Sequence, residues 1–236
     1  AAMMNLAEYR RTATRLADYL PWAALVGSGV VLNKDGSFQR TAKFRGPDLD
    51  SAVAAELVAV AGRINNAVRR LGSGWSIFVE AQRSEAATYP HSTFPDPASA
   101  LVDAERKASF EEADAHFVSG YFLTFLWLPP AEEAARAETW LYEGREKTGV
   151  DPWELLRAFI DRTDRVLALL DGFMPECRWM DDGATLTYLH STISTNRHRV
   201  RVPEVPMHLD ALLADQPLTG GLEPRLGDAH LRVLTI

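Results

Sequence analysis

The segment from Tyr121 to Leu128 constrains the fold most, because nearly all of its residues are apolar. Four of them are aromatic, and they fall on both sides of any strand that follows this pattern. A strand of this kind must be covered on both faces, so it belongs at the centre of a sheet. Pro129 and Pro130 end it, because proline cannot donate to a sheet ladder. The chain must therefore supply other strands and helices to cover this segment.

Apolar periodicity and turn signals divide the rest of the chain. Asn33-Lys34-Asp35-Gly36 predicts a tight turn between two strands, because Asp-Gly favours the hairpin backbone. Asp151-Pro152-Trp153-Glu154 predicts a helix start, with an aspartate cap, proline at the first position and a reciprocal glutamate. Besides 121–128, the predicted strands are 24–32, 38–44, 75–81, 222–226 and 230–236. The predicted helices are 5–19, 51–71, 99–117, 131–142, 151–171, 184–193 and 208–214.

This order of elements predicts an α+β fold: a mixed, largely antiparallel sheet with helices packed against one face. Several apolar stripes should build the core. The first strands contribute Val30, Leu32, Phe38 and Ala42. In the helix at 51–71, apolar residues recur at helical spacing and form one face: Val53, Leu57, Val60, Ala61, Ile64, Val68 and Leu71. The helix at 151–171 contributes Leu156, Phe159, Ile160, Val166, Leu167 and Leu170.

The 236 residues suit one large domain over 5–236, with a subdivision near 130–150 as the alternative. Ala1-Ala2 before Met3-Met4 has the form of a cloning remnant, so residues 1–4 are set aside. The apolar strand predicted over 230–236 ends the sequence. A domain seldom stops inside such a strand, so we expect the chain to be part of a longer protein.

Net charge, cysteine content and the length of apolar runs argue against several classes of protein. The net charge is -7, from 32 acidic and 25 basic residues, which disfavours general nucleic-acid binding. Cys177 is the only cysteine, so neither an intrachain disulfide nor a multi-thiolate zinc site can form. The uncharged runs at 19–33 and 117–131 are too short to cross a bilayer.

The sequence lacks the common catalytic and nucleotide-binding motifs. The only Lys-Thr pair, Lys147-Thr148, follows Glu146, and Leu141 stands where a phosphate-binding loop needs its first glycine. No Gly-x-Ser-x-Gly or His-Glu-x-x-His segment occurs. His190 and His198 do not have metal-ligand spacing. We therefore expect no catalytic, cofactor or metal site in this chain, and no enzyme activity from it.

Arg197, His198, Arg199 and Arg201 form the sharpest local charge feature. Arginine and valine alternate over Arg199–Val202, which predicts a strand with arginines on one face. Such a face could dock phosphate or a carboxylate-bearing partner. A charged edge strand that resists aggregation gives the same pattern, and we favour that interpretation.

A second candidate contact lies near the N-terminus. Arg10, Arg11 and Arg15 stand close in sequence to the aromatic residue Trp22. Arginines beside aromatic rings suit an anionic membrane surface or a partner protein. A solvated terminus explains the same residues.

Three stretches together resemble the N-terminal region of the TrbE-like conjugal-transfer ATPases of type IV secretion systems. The first is 7–23 with 33–40, the second is 74–83, and the third joins 188–192, 206–210 and 218–224. The resemblance covers essentially the whole chain from Met4.

The resemblance implies a non-catalytic assembly or docking domain, cut from an ATPase whose ATP and Mg²⁺ site lies in a later domain absent from this chain. It implies a cytoplasmic protein peripheral to the bacterial inner membrane. Its expected partners are other secretion subunits, inner-membrane components among them, and further copies of itself. Two alternatives stay open: a nucleic-acid-binding module that uses Arg197–Arg201, and a small enzyme of unrecognised type.

Overall fold

A computed structural model describes residues 15–86, 89–112, 116–130 and 152–234. Its main sheet contains β1 (Trp22–Gly27), β2 (Val30–Asn33), β3 (Phe38–Arg45), β4 (Trp75–Glu85), β5 (Phe117–Trp127) and β6 (Glu176–Trp179). The strand order is β1-β2-β3-β5-β4, and β6 pairs with the second half of β3. All these pairings are antiparallel, which confirms the predicted α+β class.

The helices are α1 (Leu16–Tyr19), α2 (Ala54–Val68), α3 (Pro97–Glu112), α4 (Pro152–Asp171), α5 (Asp182–Ile193) and α6 (Leu209–Leu213). A small second sheet contains β7 (Leu218–Thr219), β8 (Arg225–Leu226) and β9 (Ala229–His230). Within the described part of the chain, no helix has both the length and the apolar character needed to cross a bilayer.

Helices cover both faces of the main sheet, so the prediction of a single covered face is wrong. Val30 and Leu32 of β2 pack with Phe159 of α4. Val31 points the other way and packs with Leu186 of α5 and with α6. All three valine and leucine side chains of β2 are fully buried, because successive residues of a strand alternate between faces. The central sheet is therefore enclosed between α4 and the α5–α6 pair.

Four aromatic rings fasten α4 to the sheet. Phe38, Trp127 and Trp75 lie side by side on β3, β5 and β4, since Trp127 pairs in register with each of the other two. Phe159 of α4 stacks on Phe38 at 5.7 Å and on Trp75 at 5.6 Å between ring centroids. The predicted stripe of α4 is confirmed: the leucine, phenylalanine and valine positions are buried and Ile160 packs against the core.

A polar contact from the buried Arg40 side chain also holds α4 against the sheet. The Arg40 guanidinium lies 2.6 Å from an Asp164 carboxylate oxygen and 4.0 Å from the centre of the Trp179 ring. The Trp179 indole donates to the same carboxylate at 2.7 Å. Burial lowers the pKa of Arg40, and Asp164 opposes that shift. This closed set of contacts joins β3, α4 and β6.

Several predicted boundaries need correction. The strand predicted over 24–32 is two strands, because Ser28-Gly29 forms a turn between them. Helix α2 begins after Val53 rather than at residue 51, and of the residues inside it only Ala67 is buried. Strand β6 was not predicted, because it is short and lacks alternation. The strand predicted over 230–236 is wrong for residues 231–234, which form no strand. The strand here is Ala229–His230, which pairs with β8. The predicted helix over 131–142 and the subdivision near 130–150 lie outside the described residues.

Gly29 supports a direct test of how the first hairpin is held. Its φ is +64°, and an added Cβ would stand 2.1 Å from the Met180 carbonyl oxygen, while its N–H donates to Asp182 at 2.6 Å. We expect Gly29→Ala to lower the free energy of unfolding by about 1–3 kcal/mol, because the left-handed backbone and the clash both disfavour alanine. Gly62 in α2 has no atom near its Cβ position, so Gly62→Ala is the matched control. Urea unfolding measures both, and equal stabilities for the two variants would contradict this explanation of the hairpin.

Candidate functional site

The charged cluster predicted over 197–201 lines a groove beside α5. The groove has a volume of about 360 Å³ and is named here the His190 groove. Its lining residues are Thr187, His190, Ser191, Asn196, Arg197, His198 and Arg199. Arg197, His198 and Arg199 therefore lie along one groove, whereas Arg201 is not among its lining residues. The predicted strand is wrong, because residues 197–203 pair with no strand.

Helix α5 forms the floor of the groove. Asp181 caps its start by accepting a hydrogen bond from the Ala184 N–H at 2.7 Å. Leu186 and Leu189 bury one face of the helix against the sheet. His190 follows on the buried side and is only 2% exposed. The packing of α5 thus places an imidazole below the surface of the groove.

Hydrogen bonds hold the segment after α5 against the helix. The side-chain Oε1 of Gln216 accepts from the Thr195 N–H at 3.0 Å. The Val200 N–H donates to the Thr187 hydroxyl at 3.1 Å. The Arg197 guanidinium donates to the Ser191 carbonyl oxygen at 3.0 Å, where the carbonyl end of a helix favours a cation. These side-chain contacts replace the strand pairing that the alternating sequence suggested.

The electrostatics of the groove centre on His190 and Asp215. His190 Nε2 lies 3.1 Å from a carboxylate oxygen of Asp215, which is an ion-pair distance without the alignment of a hydrogen bond. His190 Nδ1 has no hydrogen-bond partner among the described residues. The His198 ring lies 4.5 Å from the His190 ring, centroid to centroid. Arg199 makes no hydrogen bond or ion pair to any described residue.

Hydroxyl groups near the histidines are engaged with the backbone. The Ser191 hydroxyl donates to the Tyr188 carbonyl oxygen at 2.7 Å, and the Thr187 hydroxyl donates to that of Gly183 at 2.7 Å. Neither hydroxyl is paired with a histidine in the groove, so the arrangement lacks an activated nucleophile. Across the described ranges, no group of three or more His, Cys, Asp or Glu side chains could hold a metal ion. The geometry suits binding of a ligand more than covalent chemistry.

The second predicted contact is only partly described. Arg10 and Arg11 lie outside the described residues, and Arg15 is exposed at the start of α1. Trp22 is 7% exposed and packs in the core with α5 and α6, so its assignment to a membrane or partner contact is wrong. Its position on β1, covered by both helices, explains the burial.

A set of elements that bury little of their apolar surface was not anticipated from the sequence. We call these the peripheral segments: α2, α3, residues 78–85 of β4 and residues 117–121 of β5. No residue of α3 is buried. Residues 117–120 pair only with β4, so this end of the sheet is a two-stranded ribbon beyond β3. The pattern of α2 signalled an amphipathic helix but not whether its apolar face is covered within the chain.

Asp215 supports a prediction about acid stability. Burial raises its pKa, but hydrogen bonds from Asn196 and Ser194 and the neighbouring His190 together hold that pKa below the ordinary 3.8. A carboxylate whose pKa falls on folding stabilises the folded chain above its unfolded pKa, and this contribution is lost as the pH falls through the folded value. We expect Asp215→Asn to lower stability near neutral pH and the difference from the parent chain to shrink below pH 3.8.

Urea unfolding at a series of pH values measures this difference. Asp228→Asn changes an exposed aspartate and serves as the control, with little effect at any pH. A difference for Asp215→Asn that grows as the pH falls would contradict the prediction.

Comparisons with known proteins identify the family. Residues 29–135 match the family described as type IV secretion system ATPase VirB4/TrbE, N-terminal domain. A conjugal transfer protein TrbE of Rhizobium radiobacter is 33% identical over 253 aligned residues, which cover 99% of this chain and 30% of that protein. A second relative, from Sinorhizobium fredii (strain NBRC 101917 / NGR234), is the first piece of a probable conjugal transfer protein TrbE. It is 39% identical over 139 residues, 58% of this chain and 93% of that protein.

The chain therefore spans under a third of the Rhizobium radiobacter protein, and its alignment with the Sinorhizobium fredii protein covers nearly all of that relative. The identity to the first relative extends over essentially the whole chain, and the family match includes β2, β3 and the long strands β4 and β5 of the main sheet. The chain belongs to the VirB4/TrbE family of type IV secretion ATPases and carries their N-terminal domain.

Proposed function

We propose that this chain is a non-catalytic assembly domain, which docks a conjugal-transfer ATPase onto other subunits of its secretion apparatus. The observation that carries the proposal is the exposure of apolar side chains on the peripheral segments. These side chains are Val53, Leu57, Val58 and Ile64 at α2, Leu101 and Val102 of α3, and Phe78, Val79, Phe117, Val118 and Tyr121 of the two strands.

Exposed apolar surface of this kind is unusual in a protein that acts alone. Single exposed apolar residues are common, but helices of a globular domain normally bury one apolar stripe. Val58 is 72% exposed and Val79 is 69% exposed. Covering such side chains with a partner contributes favourable free energy in proportion to the apolar area removed from water. The peripheral segments therefore suit a protein interface.

The matched family region supports the same assignment. Residues 29–135 run from β2 through β5, so they include α2, α3 and both long strands. The His190 groove lies outside that region. ATP and Mg²⁺ would act in the part of the parent protein that this chain does not span. We place the parent at the cytoplasmic side of the inner membrane, in contact with other secretion subunits and further copies of itself.

The test introduces Val58→Ser and Val79→Ser together into the whole ATPase. We expect loss of co-purification with its secretion subunits and a fall in transfer frequency of roughly tenfold or more, because lost apolar burial of about 2 kcal/mol exceeds the 1.4 kcal/mol that corresponds to tenfold in affinity. ATP hydrolysis and the unfolding midpoint should stay unchanged, since both side chains are exposed.

Val205→Ser with Val233→Ser is the matched control, because it makes the same chemical change at two exposed valines away from the peripheral segments. This control should assemble and transfer normally. Normal assembly of the Val58 and Val79 variant, or equal loss in the control, would contradict the proposal.

A further inference from the structure

We propose that the His190 groove is a binding site for a phosphate group, held by His190, Arg197 and Arg199. The site is separate from the peripheral segments, and the proposal does not depend on the docking role. Its ligand class is the phosphate monoester, either free in solution or carried by a lipid headgroup.

The buried imidazole is the first feature that points to an anion. His190 is 2% exposed, it lines the groove, and its Nδ1 has no described hydrogen-bond partner. Buried polar atoms are almost always paired, because an unpaired donor or acceptor loses its hydration without compensation. An imidazole nitrogen can donate or accept a hydrogen bond, so Nδ1 can pair with a ligand oxygen when it carries the ring proton. A phosphate oxygen in the groove would supply the missing partner.

The two arginines of the groove are the second feature. Arg197 uses one nitrogen to hold the Ser191 carbonyl, which fixes the guanidinium and leaves other N–H groups for a ligand. Arg199 has no hydrogen bond or ion pair to any described residue, although it lines the same groove. Guanidinium groups form strong charge-assisted hydrogen bonds with phosphate oxygens. Arg197 is therefore already oriented in the groove, and the Arg199 guanidinium is available to bind a ligand.

The charge balance of the groove also favours phosphate. Asp215 is the carboxylate that approaches His190, and it also accepts from the Asn196 amide at 2.8 Å. One carboxylate cannot neutralise two arginines, so the groove keeps an excess of positive charge. A phosphate monoester carries up to two negative charges and three acceptor oxygens. It matches three convergent donors better than a carboxylate, which has two oxygens.

The test follows the histidine ring signals of the chain by NMR while inorganic phosphate is added at constant ionic strength. We expect saturable shifts of the His190 and His198 ring protons. Arg199→Gln should weaken this binding by roughly tenfold, the effect of losing a charged hydrogen bond. Arg201→Gln removes the same charge outside the groove, so its affinity should equal that of the parent chain.

Vesicles of phosphatidic acid, with phosphatidylcholine vesicles as the comparison, separate the two sources of phosphate. If the chain floats with phosphatidic acid vesicles and Arg199→Gln abolishes this, the natural ligand is a lipid headgroup. If the chain binds phosphate but does not float with the vesicles, the ligand is a soluble phosphate. Either result supports the site. The absence of saturable shifts, or equal losses for Arg199→Gln and Arg201→Gln, would overturn it.

Discussion

The stack of Phe38, Trp75, Trp127 and Phe159 is the interaction on which the rest of the structure depends. It joins three adjacent strands to the longest helix among the described residues, with ring centroids 5.6 to 6.5 Å apart. Large aromatic rings bury much apolar surface and favour defined contact geometries, so they fix both register and helix position. With α4 fixed on one face, the other face of the sheet can hold α5 and the groove beside it.

The molecule thus has a region in which the apolar side chains are covered and a region in which many of them are exposed. Around the stack, both faces of the sheet are covered, and the buried Arg40 side chain pairs with the half-exposed Asp164. The peripheral segments, in contrast, bury few residues of their own, although they contain many apolar ones. Together with membership of the VirB4/TrbE family, this division favours a domain that completes its apolar packing within a larger assembly.

Sequence patterns predicted the parts of the fold that depend on neighbouring residues. The Asp35-Gly36 turn and the stripe of α4 are local features, and both are confirmed, with Gly36 at φ +80°. The strand predicted from the Arg199–Val202 alternation does not form. The Thr187 side chain instead binds the Val200 N–H, and Gln216 holds the chain just before this segment, at Thr195. The groove could be anticipated from Arg197, His198 and Arg199, but the unpaired His190 could not, because burial depends on tertiary packing.

Docking through the peripheral segments is the central claim about this chain. The most direct measurement expresses the 236-residue chain in excess in donor cells that carry its intact transfer apparatus, and counts transfer events. A docking domain without the motor should occupy the partner's site and lower the transfer frequency, whereas the Val58→Ser and Val79→Ser form should not. Unchanged transfer in cells that contain abundant folded chain would contradict the claim.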